Sequence, residues 1–247
     1  MSGLEAVACP QEREQADNRE EQKRRDFLQY CLSEFHRTRG EEWANGISHL
    51  VGVVFGIVAL TLMMVFAAQR GNAWHIVSCA IYGTTLILLN LSSTLYHLLT
   101  NYRAKWVFQI FDHCSIYILI AGSYTPFVLV TMGHGAWGWT IFGIEWGLTV
   151  LGILLETLWP KLVKYLSVPI YLVMGGLNVC NCRPIYDNIA TPGLWLLAAG
   201  GLSYTFGVIF YLMDHTPYMH TVWHFFVLGG VVCHWVSVTF YVIPAFG

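Results

Sequence analysis

Residues 217–243, PYMHTVWHFFVLGGVVCHWVSVTFYVI, contain no Lys, Arg, Asp or Glu, yet they carry His220, His224 and His234. A run of this length can cross a bilayer as a helix, which takes about 20 apolar residues. A polar, ionisable side chain at membrane depth is costly unless a partner or a metal compensates it. His220 and His224 are four apart, so they sit about 6 Å apart along the axis on one helix face. That spacing suits two imidazoles on one metal ion. The stretch therefore predicts a transmembrane helix with a site built into it.

The rest of the chain reads the same way. Of its 247 residues 55% are hydrophobic and only 11% charged, where a soluble domain carries about 25% charged. Six further apolar runs cover 47–68, 75–99, 107–130, 136–157, 165–182 and 192–213, and polar or helix-breaking segments such as Asn101-Tyr102-Arg103 and Pro160-Lys161 separate them. The fold expected is all-α, a polytopic membrane protein with seven transmembrane helices. Mid-helix glycine pairs at 175–176, 200–201 and 229–230 are expected to let helices pack closely.

Charge is concentrated at one end. The first 46 residues hold seven of the thirteen Lys and Arg and ten of the fifteen Asp and Glu. This divides the chain into a polar tail, 1–40, partly disordered, and a membrane domain, 41–247. Within the tail Phe27, Leu28, Cys31, Leu32 and Phe35 share a helical face behind Lys23-Arg24-Arg25, a pattern for a helix lying on the inner membrane surface. No cleavable signal is expected, so the first span would act as its own insertion signal. The seven cysteines form no CxxC pair and are read mainly as free thiols in apolar surroundings. A net charge of −2 gives no reason to expect a nucleic-acid partner. Membrane lipids are the partners expected, and the location is an integral, multi-pass one.

Orientation follows from Lys and Arg, which accumulate on cytoplasmic loops. With the N-terminus inside, eleven of them lie on the inner side, and Arg70 and Arg183 alone on the outer. The N-terminus is then cytoplasmic and, after seven spans, the C-terminus outside. In this arrangement His97 ends the second span, Asp112 lies in the first turns of the third, and His220 and His224 open the seventh. All four fall in the inner-leaflet half.

Three imidazoles and a carboxylate at one depth suggest a metal site, and three His with an open position is a catalytic zinc (Zn2+) ligand set. Ser93 is four residues before His97, so its hydroxyl lies beside that ligand. Asp112 would either hydrogen-bond a ligand histidine or hold the water on the metal. Separate histidines satisfied within the core are the alternative. His36, His75, His134 and His215 read as interfacial side chains, and His234 as at most a second polar contact. Glu42, Asn45 and His49 share a face at the start of the first span, either as capping and anchoring groups or as supports for the site. Glu145, mid-membrane in the fourth span, needs a proton or a partner.

At these residues the chain resembles the hemolysin III family, part of the wider progestin and adipoQ receptor group, and more distantly the alkaline ceramidases. The matching segments are Glu42-Trp-Ala-Asn45-Gly-Ile-Ser-His49, Ser93-Thr-Leu-Tyr-His97, Phe111-Asp112-His113, Ala121-Gly-Ser-Tyr-Thr-Pro126-Phe127 and Pro217-Tyr-Met-His220-Thr-Val-Trp-His224-Phe. The resemblance covers about residues 41 to 243. It implies a seven-helix fold with zinc near the cytoplasmic face, held by His97, His220 and His224, with Ser93 and Asp112 beside the water that completes its coordination.

Three functions are open at this stage. A zinc-dependent hydrolase of lipid amides, ceramide-like in chemistry, would use Asp112 and Ser93 as its catalytic pair. A membrane receptor or signalling regulator would use the zinc to tie helices together. A cytolytic pore would need a repeated polar stripe along the spans, which they lack.

Overall fold

The structure, a computed structural model, describes residues 35 and 37–244 except 134 and 181, together with scattered residues of the first 34; the side chains of 177–182 and 184 are also outside the description. It divides into two units, Met1–Thr38 and Arg39–Gly247. In the first unit the described residues between 11 and 29 are helical. Phe27, Leu28, Cys31 and Leu32 lie outside the described residues, as do His36 and His134.

Among the described residues the regular structure of the second unit is all helical. Helix α1 is Arg39–Arg70, α2 Ala73–Leu98, and α3 Tyr102–Pro126, which continues as a π-helical turn over Phe127–Thr131. Helix α4 is Ala136–Leu158 and α5 Pro160–Cys180. A short connecting helix, Cys182–Asn188, leads to α6, Thr191–Leu212. Helix α7, Met219–Ser237, ends in a second π-helical turn, Val238–Val242. Six helical segments of the described residues are long and apolar enough to cross a membrane: α1, α2, α3 with its π turn, α4, α6 and α7 with its π turn. The protein is a multi-pass integral membrane protein. The fifth expected run lies in α5, a helix of 21 residues with Pro169 inside it.

Local chemistry sets the boundaries. Asn72 caps α2, its side chain accepting from the amides of Trp74 and His75 while His75 Nδ1 accepts from the Asn72 amide. Asn101 caps α3 in the same way through Arg103 and Ala104. Such caps satisfy amides that the first helical turn leaves open. They also hold the α1–α2 and α2–α3 connections short, so these helices run antiparallel.

The polarity of the bundle is that of a membrane protein. Along α1 small residues, Gly52, Gly56 and Ala59, turn inward, while Val51, Val54 and Val58 are more than half exposed. On α3, a Cβ at Gly122 would overlap Thr85 of α2, so this glycine sets their close approach. Of the three glycine pairs, Gly200 and Gly230 pack against His234 and Tyr204. A Cβ at Gly175, Gly176 or Gly201 would meet nothing within 4 Å, and these three line a cavity. Packing thus accounts for only part of these glycines.

Candidate metal centre

The site forms where α1 begins, α2 ends, and α3 and α7 begin. His97 is the penultimate residue of α2, and His220 and His224 lie in the first turns of α7. Their rings form a triangle with centroid separations of 5.3 Å (His97–His220), 5.2 Å (His97–His224) and 4.7 Å (His220–His224). One ligand nitrogen from each lies within 4.8 Å of the others. Zinc–nitrogen bonds of about 2.0–2.1 Å in a tetrahedral array place donors roughly 3.4 Å apart, within reach of this triangle.

Two of the imidazoles have one nitrogen already committed. His97 Nδ1 donates to Glu42 Oε2 at 2.8 Å. His224 Nδ1 lies 3.0 Å from Ser48 Oγ and 3.3 Å from the Asn45 carbonyl. A carbonyl only accepts, and the Ser48 hydroxyl is already donated to that same carbonyl at 2.7 Å. The proton of the His224 ring therefore resides on Nδ1. His220 Nδ1 is 3.4 Å from Asp214 Oδ1. With Nδ1 of His97 and of His224 engaged by groups on α1, Nε2 of these two rings is the nitrogen that would face a metal. This is the arrangement in which partners behind a ligand fix its tautomer and raise its basicity. The donor set fits a divalent ion such as zinc.

Helix α1 supplies most of this support. Glu42 also receives Lys105 Nζ at 3.0 Å, and Lys105 donates to the Tyr96 and His97 carbonyls at 2.9 and 3.4 Å. One carboxylate therefore joins α1, the end of α2 and the start of α3. Asn45 accepts a very short hydrogen bond from the Thr221 hydroxyl on α7. Glu41 Oε1 accepts from the Tyr218 amide at 3.0 Å. Tyr218 has φ 62°, in the left-handed region, a conformation costing a non-glycine residue of order 1–3 kcal/mol. It turns the chain two residues before His220, so the strain is spent on aiming that ligand.

Ser93 and Asp112 are both buried, and both line a cavity of about 620 Å³ together with His49, His220 and His224. His49 packs edge-on to His224 with ring centroids 4.0 Å apart, and its Nδ1 donates to Asn90 Oδ1 at 2.8 Å. The structure thus brings the three histidines read from the sequence together and sets Ser93 and Asp112 on a cavity that two of them also line. Sequence reasoning missed Ser48, Lys105, Asn90 and Asp214. Ser48 lies inside the quoted Asn45-Gly-Ile-Ser-His49 segment and was open to notice. Lys105 reads as an ordinary cytoplasmic loop charge, yet it is buried, which leaves ten Lys and Arg on that side for topology. His113, adjacent to Asp112, is 3.5 Å from Glu156 of α4. Among the described residues neither carboxylate oxygen of Glu145 makes a hydrogen bond.

Residues 37–235 match the family model described as "Haemolysin-III related". The chain belongs to the haemolysin-III family. It is 43% identical over 203 residues to the hemolysin-3 homolog of Bacillus subtilis, covering 82% of this chain and 95% of that protein. Hemolysin-3 of Bacillus cereus is 40% identical over 204 residues, 83% of this chain and 93% of the other. The human monocyte to macrophage differentiation factor is 28% identical over 209 residues, 80% of this chain and 83% of the other, a relationship within the progestin and adipoQ receptor group. Every residue of the metal centre falls inside the segment that matches the haemolysin-III model.

Proposed function

We propose that this haemolysin-III protein is a zinc-dependent hydrolase of lipid amides, with seven membrane spans and a cytoplasmic N-terminus. The observation that carries the reading is the convergence of three imidazoles able to share one metal ion, two of which, His220 and His224, line a cavity together with Ser93 and Asp112. Zinc held by three neutral imidazoles would act as a Lewis acid and lower the pKa of water towards ~7.

The protein's own groups do the rest. Asp112 takes one proton from the attacking water, and the water oxygen bonds to the amide carbon. The Ser93 hydroxyl donates to the oxygen that gains charge in that step. As the C–N bond breaks, Asp112 returns the proton to the departing amine, leaving a free acid and an amine. Glu42, Asp214 and the Asn45–Ser48 pair keep the ligand rings aimed. Access through the bilayer and a lining that is chiefly aliphatic and aromatic favour lipid substrates.

The seventh span is supported by the course of α5. Tyr171 donates to the His113 carbonyl at 3.2 Å, and farther along both helices Tyr124 donates to the Met174 and Gly175 carbonyls at 2.7 Å. Helix α5 thus runs alongside α3 in the same direction, as a fifth span must when α3 is the third. The surplus of Lys and Arg at the N-terminal side supports the cytoplasmic placement.

A receptor or regulator with structural zinc is the second reading. It is favoured by the triad's bridging of α2 and α7, and by the kinship with a protein named as a differentiation factor. Turnover separates the two. Purified protein should hold one zinc per chain, lose it in His97→Ala, and hydrolyse a ceramide-like amide in a lipid panel. Stoichiometric zinc with no turnover on any amide would leave the structural reading standing instead.

A further inference from the structure

Helix α1 sets a fourth imidazole, His49, against the metal centre. Its ring stands edge-on to His224 at a centroid separation of 4.0 Å, while the three histidines close enough to share an ion are His97, His220 and His224. His49 is 3% exposed and borders the same cavity as Ser93 and Asp112. Metal binding leaves this ring without a task.

Asn90 of α2 fixes its tautomer. The Asn90 amide nitrogen donates to the Leu86 carbonyl at 2.8 Å, so Oδ1 is the atom turned to His49, and His49 Nδ1 donates its proton there at 2.8 Å. The lone pair of the neutral ring is then on Nε2. Among the described residues Nε2 makes no hydrogen bond, yet it is not sealed from access as His97 Nε2 and His234 Nδ1 are. Nε2 is therefore an open acceptor on a ring that borders the cavity. The pair is also built into the helix packing. A Cβ at Gly52, one turn along α1 from His49, would overlap Asn90 Oδ1, so the glycine admits the residue that holds the ring. Asn90 lies three residues before Ser93, which puts both on one side of α2.

An amide group brought to this cavity has a single donor, its N–H. In the proposed reaction Ser93 attends to the carbonyl oxygen and Asp112 to the water. An N–H stripped of water is unfavourable without an acceptor. His113 stands 3.5 Å from Glu156, and His234 Nδ1 is sealed. His49 Nε2 meets the need.

We propose that His49 Nε2 accepts a hydrogen bond from the amide N–H of the substrate, which makes His49 the residue that selects amides over esters. An ester would set an oxygen lone pair against the Nε2 lone pair, and a ketone would offer only a methylene. Asn90 acts through His49 as a positioning residue, keeping the proton on Nδ1. The inference deepens the lipid-amide reading and rests on it for the identity of the polar group at the site.

The test measures binding to the full-length, zinc-loaded protein in lipid nanodiscs, with Asp112→Asn present so that no probe is consumed. The probes are N-methyldodecanamide, methyl dodecanoate and ethyl undecyl ketone, which share chain and carbonyl and differ at the adjoining atom; each affinity is referred to the probe's concentration in the bilayer. The amide should bind about tenfold more tightly than the ester or the ketone, the gain of one hydrogen bond to a waiting acceptor. Adding His49→Phe should abolish the preference with zinc content unchanged, and His49→Gln, which can donate to Asn90 and still accept, should keep part of it. Equal binding of the three probes would overturn the proposal, and so would a preference that survives in His49→Phe. Should His49→Phe fail to fold or lose its zinc, Asn90→Leu decides: the ring stays but its proton is no longer held on Nδ1, so the preference should fall, and an undiminished one would overturn the proposal. Turnover of the same amide by protein retaining Asp112 is read separately. Hydrolysis without a binding preference would remove the role of His49 alone, and a preference without hydrolysis would remove the hydrolase reading alone.

Discussion

Glu42 and Glu145 are carboxylates set in the same membrane domain, and their surroundings are opposite. Glu42 receives the His97 imidazole and the Lys105 ammonium at 2.8 and 3.0 Å. Glu145 is fully buried in α4, and neither of its oxygens is hydrogen-bonded among the described residues. The contrast separates two ways of placing an acid in a membrane. At the triad the charge is matched and does a task, whereas mid-membrane the group is tolerable as a neutral acid. If that is correct, substitutions at the α1–α2–α7 end should have large and chemically specific effects, and the α4 acid should be cheap to replace.

The sharpest division comes from the ligands themselves. His97→Ala or His224→Ala should reduce zinc to background by elemental analysis, since two imidazoles leave too few protein donors for a three-histidine site. Zinc retained at one per chain in either variant would mean that the ion sits elsewhere. Next in size is Asp112→Asn. On the proposed hydrolase mechanism, removing Asp112 as base should lower amide turnover by about 10²–10⁴-fold while zinc content stays at the unaltered level. Full-rate hydrolysis by this variant would eliminate Asp112 as the proton acceptor.

Glu42→Gln tests the matched acid directly. The substitution takes the Glu42 charge away from the buried Lys105, and breaking a buried pair costs about 3–5 kcal/mol. The low end applies, because the Glu42 side chain keeps 16% exposure. The amide oxygen of Gln can still accept from His97 but without the charge, and weakening the partner behind a metal-ligating histidine costs up to about 10–100-fold in affinity, so zinc should titrate with a weaker dissociation constant. A lower thermal midpoint with zinc affinity unchanged would show that Glu42 only braces α1 against α2.

How far these relations were visible in the sequence depends on distance along the chain. His220 and His224 are legible because a four-residue spacing in an uncharged run fixes a shared helix face without any tertiary knowledge. His97 and Asp112 become legible once the order of spans brings one end of each helix to the same depth. The role of Glu42 was visible only as an alternative to capping, because its partner is 55 residues away. Lys105 and Asp214 were not legible at all. Both are charges at helix borders, where topology alone explains them, and their part in the site depends on how α1 packs and on the left-handed turn at Tyr218. The glycine pairs show the same limit. Composition marks Gly175, Gly176 and Gly200 alike, yet only the packed bundle tells which of them faces a neighbour and which faces a cavity.

The smallest expected effect belongs to Glu145→Gln. Helix α4 presents Ile141, Glu145, Thr149, Gly152 and Glu156 along its buried stripe. Thr149 bonds the carbonyls of Tyr117 and Glu145, and Gly152 leaves room for the Tyr117 ring. The contact between α3 and α4 around Glu145 is therefore made by other groups, while its carboxyl makes no hydrogen bond among the described residues. Glutamine matches the protonated acid in shape and carries no charge, so its thermal midpoint in detergent should correspond to a change within about 1 kcal/mol, and Glu145→Leu should be neutral or stabilising, as replacement of buried ionisable groups by apolar ones often is. Zinc content should not move in either. A destabilisation of Glu145→Gln comparable to that of Glu42→Gln would mean that the fourth-helix carboxylate is charged and matched in the membrane, and the distinction between the two acids would collapse.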